Sequence, residues 1–296
     1  MSGEQRDSRT AATGSAGDDG SSTDPRDPHR RGNAVLNIVA PIIGVALFVV
    51  AWWSMHEWGM RGLFDKPPFL LPSPPTVIDQ AFLDPTQRSN LLQGLGWTTM
   101  VALVGLAVAI VVGMSIAVLM AQASWAERTI WPYLIVAQSI PILAIAPLLG
   151  NIFGFGFGTR VLVCVIISIF PIVSNTLFGL LSADAAQHDL FTLRGAGRLT
   201  RLLKLQLPAA SPAIFTGFRI AAGLSVIGAV VGELFFRQGG KGIGIVMEQY
   251  RSRTQFPETY GALILSSLLG IAVFVLFGWL SRLVVGRWHE STRSGG

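Results

Sequence analysis

Six long apolar stretches constrain this chain more than any other feature of its sequence. They lie at about 34–55, 95–121, 130–150, 160–181, 212–236 and 260–285. Each is close to the roughly 20 residues that an α-helix needs to cross a bilayer. Of the 296 residues, 51% are hydrophobic and only 13% are charged, whereas a soluble domain has about 25% charged residues. The sequence therefore predicts an all-α, multi-pass membrane protein with about six transmembrane helices.

Proline and glycine modify this pattern at two places. The third stretch, 130–150, contains three prolines, so we expect its helix to be kinked or broken. In the fifth stretch, Gly228 and Gly232 form a GxxxG pair, which lets two helix backbones approach closely. The pair predicts either packing inside one subunit or a dimer face, and the sequence leaves both open.

The ends of the chain differ from its middle. Residues 1–33 are mostly small and polar, so we predict a disordered tail, a membrane domain at 34–288 and a short tail at 289–296. The formal charge of +5 fits basic residues beside membrane helices and does not indicate nucleic-acid binding. The densest basic cluster lies on a short segment near 194–204, and it predicts that this side and the N-terminus are cytoplasmic.

Motifs for catalysis or metal binding are not evident. The chain has one cysteine, Cys164, and four scattered histidines, which do not suggest a metal site. The string GGKGIG at 239–244 lacks the Ser or Thr that follows the lysine of a phosphate-binding loop. We interpret it as a loop and helix start outside the membrane, and GFGFG at 154–158 as a connection between two spans. We therefore expect no enzymatic activity, no cofactor and no metal in this chain.

A basic, hinge-like segment separates the fourth and fifth stretches. On a helical projection its basic residues form one stripe, and the leucines fall on the other side; the two sets are Arg194, Arg198, Arg201 and Lys204, and Leu199, Leu203 and Leu207. The pattern predicts a short helix, a glycine elbow, a separate basic helix and then the fifth span. The residues alone favour a helix on anionic lipid headgroups, with a docking surface for a cytoplasmic partner as the alternative.

Polar side chains inside the apolar stretches are candidates for a translocation path, because such residues usually face a cavity or a partner. The candidates are Gln138, Ser139, Ser174, Asn175, Arg219 and Glu233. For Glu233 a second interpretation stays open, a structural hydrogen bond to the glycine-rich loop that follows it.

The segment GAGRLTRLLKLQLPAASPAIFTGFRIAAGLSVIGAVVGE resembles the signature of the permease subunits of type I ABC importers. Their cytoplasmic loop has the pattern E-A-A-x-x-x-G, about nine residues, and I-x-L-P. Here the glycine falls on Gly195 and the Leu-Pro on Leu207 and Pro208, while the E-A-A positions fall on Asp189, Leu190 and Phe191. The continuation, together with LPSPPTVI at 71–78, is similar to the nitrate, sulfonate and taurine branch.

The resemblance implies a coupling loop at about 182–211 that docks on a separate ATPase subunit, which carries the ATP and magnesium. It assigns this contact to Asp189, Leu190, Gly195, Ala196, Arg198, Leu207 and Pro208. It also implies a permease homodimer in the cell membrane and an external substrate-binding protein. The solute would be a small organic anion such as a sulfonate, nitrate, or a vitamin or pyrimidine precursor.

The competing function is an ATP-independent channel or secondary transporter. Such a protein would transport without an ATPase, and many secondary transporters contain inverted repeats. The pattern of apolar stretches shows no such repeat.

Overall fold

The structure is a computed structural model that describes residues 28–289, with side chains described for 39–284. The chain divides into two compact units, Met1–Ala51 and Trp52–Gly296. The described residues form helices and turns without a strand. The main helices are α1 (Pro28–Ser54), α2 (Pro85–Gln122), α3 (Ser124–Ser139), α4 (Ile142–Phe153), α5 (Phe157–Leu181), α6 (Ala185–Leu193), α7 (Arg198–Phe235), α8 (Ile243–Ser252) and α9 (Phe256–His289).

The first unit contributes the greater part of α1. Every side chain described in this unit, from Val39 to Ala51, is exposed, and most of them are apolar, as expected of a helix surrounded by lipid. The predicted tail at 1–33 overlaps this helix, because α1 already begins at Pro28. Residues 1–27 and 290–296, which hold the rest of the two predicted tails, lie outside the described part of the chain.

The prediction of about six membrane spans is confirmed. In the described part of the chain, five helices are long and apolar enough to cross a membrane, and the α3–α4 pair makes a sixth candidate. The two helices of this pair meet at an angle of 102°. Pro141 lies at the break in an extended conformation, and since proline cannot donate a backbone hydrogen bond, the helix ends there. The predicted interruption of the third stretch is therefore also confirmed.

The core of the second unit is a close contact of α2 and α7 with α5. Gly105 of α2 faces the side chain of Cys164, and Gly228 of α7 faces the backbone of the same residue. A Cβ atom at either glycine would overlap α5, so both positions need glycine. Gly232 packs in the same way against the backbone of Arg160. The GxxxG pair thus serves packing inside the subunit, and its interpretation as a dimer face is wrong.

The connections between helices follow the sequence prediction at two glycine-rich strings. Residues 154–156 join α4 to α5, and α8 begins at Ile243, inside the string at 239–244. α8 is too short to cross a membrane. It packs against α2, α7 and α9, and this places it at the end of the second unit where α2 begins.

Candidate functional site

The glycine elbow of the predicted coupling loop ends helix α6. The N–H of Gly195 donates to the carbonyl of Thr192 at 2.9 Å, and the N–H of Ala196 donates to that of Phe191 at 3.0 Å. Gly195 has a φ of +64°. This pair of bonds around a left-handed residue is the Schellman ending of a helix, for which glycine is strongly favoured. At the other end of α6, the Asp184 side chain accepts from the N–H of Ala186 at 3.0 Å.

The basic segment after the elbow differs from its prediction. It is the first part of α7 and continues into the fifth span without a break, so the expected separate helix is wrong. A wide turn at Leu202–Gln206 lies in this part, and its bonds run five residues back. Such a turn accommodates Pro208, which has no N–H to donate.

Of the three leucines that the helical projection assigned to the apolar side, one packs: Leu207 is half-buried against a cluster that contains Leu180. Leu202 and Leu205 are buried, and Leu202 contacts a cluster that contains Leu180. Leu199 and Leu203, which the helical projection assigned to the apolar side, are 67% and 54% exposed. The face that packs is therefore formed by Leu202, Leu205 and Leu207.

The predicted coupling residues lie together at one end of the second unit. Two side-chain hydrogen bonds join this end: Arg201 donates to Thr192 at 3.0 Å, and Gln122 donates to Gln206 at 2.7 Å. Leu190 and Leu193 are 56% and 87% exposed, although they lie outside the candidate spans. The remaining coupling residues are exposed or half-buried, namely Asp189, Gly195, Ala196, Arg198, Leu207 and Pro208.

A cavity of about 610 Å³ lies beside the break between α3 and α4, against α5 and α7. Three of the predicted path residues line it: Gln138, Ser174 and Asn175. The Asn175 side chain donates to the carbonyl of Pro171 at 2.8 Å, which leaves its amide oxygen to accept. The other lining residues are mostly apolar. The cavity is therefore an apolar space with a few polar groups, as is usual for a small-molecule site.

The other predicted path residues do not line this cavity. The Ser139 hydroxyl donates to the carbonyl of Ile135 at 2.8 Å. The Arg219 guanidinium lies 4.6 Å from the centre of the Phe274 ring, which places it between α7 and α9. The structure thus brings together three of the six candidates.

Glu233 is fully buried at the opposite end of the unit from the coupling loop. Its carboxylate accepts from the Thr98 hydroxyl at 2.8 and 2.9 Å and from the N–H of Gly244 at 2.9 Å. The same hydroxyl oxygen accepts from the N–H of Ile243 at 2.8 Å. These bonds connect α7, α2 and the first turn of α8. The hydrogen bond to the following glycine-rich segment is therefore present.

A second buried charge fixes the segment before α8. Arg160, which is 1% exposed, donates to the carbonyls of Gln238 and Gly240 at 2.6 and 2.7 Å. The sequence analysis missed Arg160 and Thr98 as partners of this segment. A charged residue at the start of an apolar stretch was the available signal for Arg160, but it did not identify the carbonyls that it binds.

Comparisons with known proteins identify the family. Residues 109–290, more than half of the chain, match the family described as binding-protein-dependent transport system inner membrane component. The chain belongs to this family of ABC importer permeases. The formylaminopyrimidine transport permease protein ThiX of Halalkalibacterium halodurans is 31% identical over 231 residues, which are 78% of this chain and 91% of that protein. The riboflavin transport system permease protein RibX of Chloroflexus aurantiacus is 33% identical over 85% of this chain and 92% of its own length.

A more distant relative is also an import permease. The nitrate import permease protein NrtB of a Synechocystis species is 29% identical over 90% of this chain and 98% of that protein. A crystal structure of an amino acid ABC transporter with histidines has a similar fold, with a TM-score of 0.53 at 19% identity over 70% of this chain and 98% of that one. The chain is thus a transmembrane permease subunit of an ATP-driven importer for a small solute, as the resemblance implied. Permeases of this family work with ATPase and binding-protein partners.

Proposed function

We propose that this permease forms the translocation path as a homodimer in the cell membrane, with its N-terminus and coupling loop in the cytoplasm. Two separate ATPase subunits bind ATP and magnesium and hydrolyse the ATP, so this chain has no catalytic residue, cofactor or metal of its own. An external binding protein delivers the solute. Since each copy contributes one wall, a symmetric pair encloses the path.

The exposed leucines of α6 carry this proposal. Leu190 and Leu193 lie outside the spans, next to charged residues, and yet they are more than half exposed. An apolar surface at such a place is typical of a docking site for another protein. The Schellman ending fixes the end of α6 beside Leu193 and Ala196, and Asp189, Arg198 and Pro208 are exposed in the same loop. A groove on the ATPase subunit is the partner that this surface fits.

The proposal for the solute rests on the names of the relatives and on the cavity beside the α3–α4 break. The relatives are named for formylaminopyrimidine, riboflavin and nitrate transport, so we propose a small organic anion, nitrate, or a vitamin or pyrimidine precursor. Gln138, Ser174 and Asn175 would contact the solute as it passes the break between α3 and α4. Ser139, Arg219 and Glu233 would then support the path from positions outside this cavity.

The test changes the charge of the docking surface. We expect Leu193→Asp to abolish retention of the ATPase subunit on the purified permease and to lower ATP-dependent uptake into vesicles by about tenfold or more, because a charge replaces an apolar contact. Ala185→Asp is the matched control, since it adds the same charge at the start of α6, where the helix dipole favours it.

Two results would contradict the proposal. One is normal ATPase retention and uptake in Leu193→Asp, which would favour the alternative interpretation, a basic segment that lies on lipid headgroups. The other is solute uptake by the permease alone, without ATPase or ATP, which would favour the channel or secondary transporter.

A further inference from the structure

A polar cavity of about 650 Å³ opens at the end of the second unit opposite the coupling loop. Its walls are the first three turns of α2, the segment 239–241, α8 and the turn after α8. The two ends are opposite because α2 begins at this cavity and ends at Gln122, which contacts Gln206 near the coupling loop. The volume is in the range of small-molecule sites, roughly 300–1,000 Å³. This cavity shares no residue with the one beside the α3–α4 break.

The charges that line this outer cavity are positive. Lys241 and Arg253 are part of its wall, and none of its lining residues is acidic. Two nearby carboxylates lie outside its wall. Asp84 accepts from the N–H groups of Thr86 and Gln87 at the start of α2, and Glu258, buried at the start of α9, accepts from the side chain of the lining residue Gln255 at 3.5 Å. The cavity therefore presents two cations without a carboxylate of its own.

Two neighbouring arginines outside the cavity are paired with a carboxylate, unlike the two cations in its wall. Arg237 and Arg251 both contact Glu248, at 3.9 and 2.7 Å. The hydrogen bond from Arg251 lowers the pKa of Glu248, so this carboxylate stays charged at neutral pH. Within the residues that the structure describes, Lys241 and Arg253 have no such ion pair.

The rest of the wall offers hydrogen-bond donors and two aromatic rings. The carboxamides belong to Gln87, Asn90, Gln93, Gln249 and Gln255. The Tyr250 hydroxyl donates to the amide oxygen of Gln87 at 2.7 Å, so the NH₂ group of Gln87 is oriented by that bond. Burial raises the pKa of Tyr250, which keeps the phenol neutral. The Trp97 ring lies against Gly240, where there is no room for a Cβ atom.

From this geometry we propose that the outer cavity binds a small solute through an oxyanion group, a carboxylate, a sulfonate or a nitrate. Lys241 and Arg253 supply the opposite charge, and the carboxamide NH₂ groups donate to the remaining oxygens, since charge-assisted hydrogen bonds are the stronger ones. The statement that this site faces the outside rests on the proposed function. On that orientation the solute occupies this site before it reaches the cavity beside the α3–α4 break.

The test measures binding to the complete permease in phosphatidylcholine nanodiscs, without ATPase, by isothermal titration calorimetry. The probes are nitrate, methanesulfonate and benzoate, and dimethyl sulfone and benzamide are their neutral counterparts. We expect saturable binding of at least one anion and none of its neutral counterpart. Lys241→Gln and Arg253→Gln should each weaken this binding by about tenfold, which corresponds to the loss of one charged hydrogen bond.

Arg237→Gln and Arg251→Gln are the matched controls, because each removes a nearby positive charge outside the cavity. They should change the affinity by less than about twofold, the effect of a screened surface charge. Equal weakening in all four variants, equal binding of the neutral compounds, or no anion binding at all would overturn the proposal. Since the measurement uses no ATPase, its result is independent of the coupling test with Leu193→Asp.

Discussion

At the coupling end of the second unit, apolar side chains are exposed, whereas at the opposite end charged side chains are buried. Leu193 is 87% exposed, and Glu233 is 0% exposed. Glu233 and Arg160 bind the segment 238–244 through hydrogen bonds to its backbone. The coupling end thus has apolar surface that only another molecule can cover, whereas at the opposite end two buried charges bind the backbone of one connecting segment. The difference indicates that the first end is built for association and that the second holds its connecting segment in place.

The largest effect that would distinguish the two ends comes from Gly195. We expect Gly195→Pro to lower ATP-dependent uptake by about tenfold or more, because proline can neither adopt a positive φ nor donate the hydrogen bond to Thr192. Gly195→Ala should have a smaller effect of the same sign, since alanine reaches that φ at a cost of about 1 kcal/mol. Uptake into vesicles with the ATPase subunit is the measurement.

The control for this prediction is two residues away. Gly197 has a φ of −67° and open space around its Cα, so Gly197→Ala should transport normally. A bulky residue at Ala196, such as tryptophan, should uncouple transport in the same way as Gly195→Pro. The six spans should remain inserted in all of these variants, since insertion depends on the apolar stretches. Normal uptake in Gly195→Pro would show that the elbow has no part in coupling.

At the opposite end we expect a loss of stability. Glu233→Leu leaves the N–H of Gly244 without its acceptor and should lower the free energy of unfolding by about 1–3 kcal/mol. Glu233→Gln keeps an oxygen that can accept, so its loss should be less than half as large. Thermal unfolding of the purified permease, followed with uptake, measures both. A Leu variant as stable as the natural protein would mean that these hydrogen bonds contribute nothing.

The smallest expected effect concerns only which side of the membrane each of the two ends faces. Cys164 is the one cysteine of the chain and is buried, so it should not react. We expect Lys241→Cys to react with a membrane-impermeant maleimide in intact cells and Ala196→Cys to react only after the cells are opened. The reverse labelling pattern would invert the proposed orientation.

The sequence predicted those features that depend on neighbouring residues. Apolar stretches of sufficient length located the spans, three prolines located the break near Pro141, and glycine located the elbow at residue 195. The helical projection of the basic segment failed for Leu199 and Leu203 because it gives only the residues that share a face, whereas contacts with the rest of the unit decide which face is buried. A bond from Glu233 to the glycine-rich segment that follows it was one of the two interpretations, but its second partner was not predictable, since Thr98 lies 135 residues away in the chain. Such a contact depends on how α2 and α7 pack together.

Helix α7 has a mechanical consequence. It has 38 residues and at 1.5 Å per residue is about 57 Å long, so it connects the two ends of the second unit, and we expect it to transmit movement between them. Its contacts with α5 lie between these two ends, at Gly217, Gly228 and Gly232. We expect the helix to pivot at these contacts. Because a continuous helix is stiff along its axis, a displacement of Arg198 should tilt the whole of α7. We expect the other end of α7, at Phe235, to move in the opposite direction. The same movement should change the entrance of the outer cavity.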